Sequence, residues 1–242
     1  MKNKLSPSDL NSKGVLAHPH LLRDILIVAS PIIILGGVGI MLGLHTLAGG
    51  ISANVGYLLA ILFGGLLLGR QGSGWINIGL AMPASWLKTI ILGVGAWVGA
   101  LVVFVAAQMI AFGVIHVLGL SPSEIDQSRF NPIMGNLTLF MLMLVLSWTI
   151  VAFGEELFYR AFLISRLMDL TAIGQGWSIL ISGIIFGAVH FAEGPVGIIS
   201  NGAFGALFGW IYVRSGRNLW ITIIGHGLLN TLRFAMLYSG NM

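Results

Sequence analysis

Not one of the 242 residues is a cysteine, which excludes disulfides, thiolate nucleophiles and any zinc site built on thiolates. Charge is almost as scarce: Asp, Glu, Lys and Arg make up 8% of the chain, against 57% hydrophobic residues. A soluble domain carries about 25% charged residues, so no water-soluble class fits. The chain also lacks a basic patch interleaved with aromatics. Its net charge of +4 is spread along the sequence, and nucleic acid is not expected as a partner. The polar start, Met1 to His20, has no compact apolar run ending in small residues, so no cleaved signal peptide is expected.

What the chain does have is long apolar runs. About 20 such residues cross a hydrocarbon core of about 30 Å, and candidate spans fall near 25–44, 52–69, 89–112, 136–153, 177–193, 195–213 and 219–238. The expected fold class is all-α, a polytopic transmembrane helical bundle with seven or eight spans lying in a lipid bilayer. An eighth span would come from 71–87, but Trp75, Trp86 and Pro83 suit an interfacial segment better. No repeat or linker divides the chain. Residues 1–242 therefore read as one domain, with 1–22 as a cytoplasmic tail and 136–238 carrying the polar motifs. A cytoplasmic amino terminus puts Lys2, Lys4, Lys13, Arg23, Arg70, Lys88, Arg166, Arg214 and Arg217 on or near the inner side. Only Arg129 then falls clearly outside, in a loop that also carries Glu124 and Asp126, as the positive-inside rule requires. Gly95 and Gly99 form one GxxxG match among 34 glycines, and it reads as helix packing alone.

Against this apolar background stands Glu155-Glu156-Leu157-Phe158-Tyr159-Arg160, followed by His190, His226 and Asn230. Ionisable groups within a membrane are costly and mark functional sites by default. No glycine or proline occurs between Glu155 and Leu170, so one helix is expected to run past the motif to a turn at Thr171–Gly176. Glu155 precedes that turn, and His190 follows it, by roughly 14 residues, or about 21 Å at about 1.5 Å per residue. In an antiparallel hairpin the two reach the same depth. Glu156 and Arg160, four apart, share a helix face and can pair, while Glu155 points elsewhere, free to exchange a proton or hold a water. His226 and Asn230 are also four apart and supply two donors suited to a developing oxyanion. The plain alternatives are a buried charge network that fixes helix packing and an interhelical hydrogen-bond clamp. Polar groups converging from three helices favour a reaction centre. A proton or ion relay would instead spread such groups over several depths, and no inverted repeat of the transporter kind is evident.

Gly154 to Arg160, Phe186-Gly187-Ala188-Val189-His190 and His226-Gly227-Leu228-Leu229-Asn230 resemble the EExxxR, FxxxH and HxxxN signatures of the CAAX protease and bacteriocin-processing (CPBP) family. That family includes the Ras-converting CAAX endopeptidases and the Abi-type bacterial proteins. The resemblance spans about residues 136–238; the earlier helices share only hydropathy with it, and the family suggests an eight-helix core. It implies that Glu155 and His190 activate a water for attack on a peptide carbonyl. It further implies that His226 and Asn230 stabilise the tetrahedral oxyanion and that Glu156 and Arg160 support them.

The expected activity is therefore that of an intramembrane endopeptidase acting on a hydrophobic or lipid-modified peptide or protein, prenylated or not. No cofactor is favoured. Zinc held by Glu155, His190 and His226 is the competing arrangement, but the HExxH spacing is absent and Glu155 would then be a ligand instead of the base. By analogy the compact chain fits a bacterial inner membrane. The competing function is a membrane immunity or scaffold protein that binds a partner through the same pocket.

Overall fold

The structure, a computed structural model, describes residues 20–43, 46–119, 128–170 and 173–241. Lys2, Lys4, Lys13, Glu124 and Asp126 of the charge argument, and Thr171 of the predicted turn, lie outside them. The described residues form seven long helices and no strand. They are α1 (Leu21–Met41), α2 (Leu47–Arg70), α3 (Trp86–Val117), α4 (Leu137–Asp169), α5 (Gln175–Val189), α6 (Gly194–Arg214) and α7 (Leu219–Ser239). The first helix takes in residues 21 and 22, which sequence reading assigned to the tail. Side-chain oxygens of Thr46, Ser85, Asn136 and Asn218 accept from backbone amides of the first turns of α2, α3, α4 and α7. Each cap removes one of the orphan donors that every helix start leaves.

Five of these helices, α1 to α4 and the stretch Phe191–Arg214, are long and apolar enough to cross a membrane. Helix α5 is too short for that criterion, and α7 carries His226, Asn230 and Arg233. Sequence reading ran its fifth span to residue 193. The helix stops at Val189 because His190 caps it, a single 3₁₀ turn follows at Phe191–Glu193, and Gly194 at φ +68° restarts the chain as α6. Residues 71–87 are no span, and they contribute one 3₁₀ turn at Trp75–Ile78. Large apolar side chains such as Met109 and Ile110 on α3 face outward, the pattern of helices solvated by lipid.

Helices α1 and α2 form a hairpin, α5 packs along α6, and α6 and α7 both lie against α3. Small residues make the α5–α6 contact possible. A Cβ on Gly187 would collide with the Ile198 carbonyl oxygen and come within 2.9 Å of the Gly202 Cα. The predicted GxxxG pair does no such work: nothing lies within 4 Å of a Cβ on Gly95, and Gly99 meets only Leu207 at 3.8 Å.

Hydrogen bonds tie the helix ends that carry the basic residues into one rim. Gln71 donates to Asp24, Arg166 to Gln71, Tyr212 to the Ile78 carbonyl, Asn218 to Thr89 and Trp220 to the Ala81 carbonyl. Arg23, Arg70, Lys88, Arg166, Arg214 and Arg217 thus belong to the same end of the bundle, with Trp75, Trp86 and Trp220 among them.

Candidate active site

Helix α4 supplies the paired carboxylates, and its coil is unusual there. Ser147–Ala152 and Glu156–Ile164 are π-helical, separated by a short α-helical stretch, Phe153–Glu155. π-Helix is rare and recurs at functional sites, and no residue spacing in the sequence announces it. Helix α2 packs beside Gly154, just before the pair, but a Cβ there would stand 3.4 Å from Ile61 and 3.6 Å from Tyr57, ordinary contact distances, so close approach does not require glycine here.

Glu156 and Arg160 pair as their spacing predicts, at 3.2 Å between Oε1 and Nη1, both wholly buried. Aromatic rings surround the guanidinium: its carbon lies 4.5 Å from the centroid of Phe186, 5.5 Å from Phe204 and 5.8 Å from Phe208. Such faces attract a cation. They accept no conventional hydrogen bond, however, and Nε, Nη1, Nη2 and Glu156 Oε2 remain without one among the described residues.

His226, from α7, reaches both carboxylates. Its Nδ1 is 2.9 Å from Glu156 Oε1 and its Nε2 is 3.8 Å from Glu155 Oε2. An ionised carboxylate can only accept, so Nδ1 is the donor, which leaves Nε2 aimed at Glu155. Gly227 permits this placement of α7: a Cβ there would lie 2.5 Å from the Trp148 ring, whose Nε1 donates to Thr231 one turn on. Glu155 itself is buried.

His190 stands at the end of α5. Its legs match α4 in length, for Glu155 lies 14 residues before Asp169 (169 − 155) and His190 lies 15 after Gln175 (190 − 175). Ser182 Oγ ties the two helices by donating to the Tyr159 carbonyl at 3.0 Å. His190 Nδ1 is 2.7 Å from the Phe186 carbonyl, an acceptor, so the ring donates there and keeps Nε2 available. Both His190 and His226 act electrostatically on Glu155. Asn230, one turn beyond His226 and half-buried, makes no side-chain hydrogen bond among the described residues. The structure therefore joins Glu155, Glu156, Arg160 and His226 by direct contact, sets His190 within electrostatic reach, and leaves Asn230's amide unengaged nearby on α7.

Residues 136–232 match the family model described as type II CAAX prenyl endopeptidase Rce1-like. This segment, 97 of the 242 residues, is similar to the CAAX protease family. The CAAX protease match contains all six motif residues, from Glu155 to Asn230, while α1 to α3 lie outside it. The likeness is to a CAAX-type peptidase, and five of the helices are long and apolar enough to cross a membrane, the make-up of a multi-pass membrane protein. No curated protein and no solved structure matches the chain.

Sequence reading missed Tyr57. Its hydroxyl is 3.0 Å from that of Tyr159, both are buried, and it acts electrostatically on Glu155. It sits on α2, outside every motif, and a tyrosine in an apolar run gives no sign of its partner. Phe204 and Phe208, which cover Arg160, were equally silent. Zinc would need three ligand atoms at about 2.0–2.2 Å. Among the described residues no three of His, Asp or Glu gather closely enough for that.

Proposed function

We propose that the chain is an intramembrane endopeptidase in which Glu155 and His190 activate a water that attacks the carbonyl of a hydrophobic or lipid-modified peptide. The observation that carries this reading is His226 held between two buried carboxylates, by a 2.9 Å hydrogen bond to Glu156 and a 3.8 Å approach to Glu155. A ring fixed in this way does not reorganise during the reaction, which is the property an electrostatic catalyst needs. Water binds between Glu155 and His190 Nε2, and Glu155 takes its proton as the hydroxide adds to the carbonyl carbon. The new oxyanion is stabilised by the His226 ring and accepts from the Asn230 amide. The proton on Glu155 then passes to the leaving amine as the C–N bond breaks. Glu156 and Arg160 orient the His226 ring and touch no reacting atom. The unpartnered Glu156 Oε2 and Arg160 N–H groups beside them favour water in the surroundings of the site.

No metal takes part in this scheme. His226 Nδ1 is committed to Glu156, and Glu155 serves as the base. Helices α5 and α7 complete seven spans, with Ser178, Ser182, Thr222 and His226 buried in the bundle interior. The rim with six basic residues lies in the cytoplasm of a bacterial cell, which puts the amino-terminal end of α1 inside. The experiment is cleavage of a panel of hydrophobic and prenylated peptides by the purified protein and Glu155→Ala, with and without chelator. Cleavage that needs Glu155 and survives chelation supports the proposal. Cleavage restored by zinc after chelation would replace it with a metal mechanism.

A further inference from the structure

Two buried tyrosines beside Glu155 have no part in the scheme above. Tyr57, on α2, holds its hydroxyl 3.0 Å from that of Tyr159, on α4, and neither hydroxyl makes another hydrogen bond among the described residues. A pair of hydroxyls brings two protons and spends one on the bond between them. Whichever oxygen donates, one O–H is left over. A buried donor of this kind is costly unless an acceptor takes it.

Placement makes Glu155 that acceptor. Tyr159 follows Glu155 by four residues and so lies close to the same face of α4. Tyr57 starts beside Gly154, its Cβ 3.6 Å from where a Cβ on that glycine would stand, and its ring runs along α4 to Tyr159, past the turn that carries Glu155. Both hydroxyls lie within electrostatic reach of the Glu155 carboxylate. No direct hydrogen bond joins them to it, but Glu155, at 7% exposed against 0% for Glu156, keeps a little surface that a water can reach. A bridging water is enthalpically nearly as good as a direct bond. On its other side the Tyr159 ring meets Phe186 at 4.9 Å, and Phe186 meets His190 at 4.7 Å, so one ring separates the hydroxyl-bearing residue from the second water-activating group. We propose that Tyr57 is a positioning residue for hydrolysis: it holds the Tyr159 hydroxyl so that the free O–H of the pair donates, through a bridging water, to Glu155 and keeps that carboxylate aimed at the water it activates. This role rests on the peptidase reading and extends the site to α2, outside the family match. Neither tyrosine touches the reacting atoms.

Steady-state cleavage of a hydrophobic peptide by the purified full-length chain, read beside thermal unfolding of each variant, tests the assignment. Tyr57→Phe keeps the ring and its packing, and should lower kcat about tenfold with KM unchanged. Tyr159→Phe should do the same, and the double variant should lose no more than the worse single, because the two hydroxyls act as one chain. Tyr212→Phe removes another buried hydroxyl bond, 2.7 Å to the Ile78 carbonyl at the basic rim, and should lower the unfolding midpoint without changing kcat. A folded phenylalanine variant of Tyr57 or Tyr159 with unchanged kcat would overturn the proposal, as would losses that multiply in the double variant. A fall in kcat that Tyr212→Phe matches would overturn it too, since a merely structural role gives that result. If Glu155→Ala is inactive in the same assay, the peptidase reading survives any of these failures. An unmodified protein that cuts no peptide would overturn both.

Discussion

Arg160 offers the sharpest energetic test, because its charge is wholly buried and its partners are few. Replacing it by Met keeps most of the side-chain volume under Phe186, Phe204 and Phe208 but strips Glu156 of its cation. Breaking a buried pair from one side costs about 3–5 kcal/mol. Glu156 would still accept from His226 at 2.9 Å, so Arg160→Met belongs at the lower end of that range. Glu156→Gln leaves the guanidinium with aromatic faces and a neutral amide, and belongs at the upper end. At about 2–4 °C per kcal/mol for a chain of this size, the midpoints should fall by roughly 6–20 °C. The double variant removes both charges and should cost less than the sum of the singles by more than about 1 kcal/mol. Unfolding in mild detergent, followed by tryptophan fluorescence, measures all three. Single variants that each change stability by under about 0.5 kcal/mol, or a double variant that is simply additive, would refute the buried pair.

Asn230→Ala should lower kcat by about 10²–10³-fold with little change in KM, as loss of one oxyanion donor does; steady-state cleavage kinetics check it. Gly187→Ala should destabilise the protein by about 1–3 kcal/mol through its clash with α6, whereas Gly95→Ala, with open space around it, should not. Thermal unfolding of the two variants side by side separates packing glycines from incidental ones. Thr231→Val removes the acceptor for Trp148 Nε1, a bond of 2.9 Å. Stability should drop by about 1–2 kcal/mol while the Gly227 contact with the Trp148 ring persists.

Helix positions were legible wherever apolar runs were long and uninterrupted, and the Trp75–Trp86 stretch was recognisable as no span from its proline and tryptophans. The end of α5 was not legible, because apolar residues continue on both sides of His190, up to Ala192, and the break depends on the backbone at Gly194. Spacing alone disclosed the Glu156–Arg160 pair, since four residues bring two side chains onto one face. The same spacing in His226 and Asn230 said nothing of Glu156, 70 residues earlier, which accepts from His226. That contact is tertiary, as are the Tyr57 hydroxyl bond and the rings over Arg160. The π-helical coil at Glu156–Ile164 leaves no mark in residue type, because its i→i+5 bonds involve only backbone.

The central claim is that Glu155 is the base that activates water at a site without metal. Glu155→Gln keeps shape and burial but removes the basic oxygen, so it isolates chemistry from packing. On a peptide that the unmodified protein cuts, the account predicts that folded Glu155→Gln binds the peptide yet releases no product, while chelation leaves the unmodified protein active. Product formation by Glu155→Gln at an undiminished rate would contradict it.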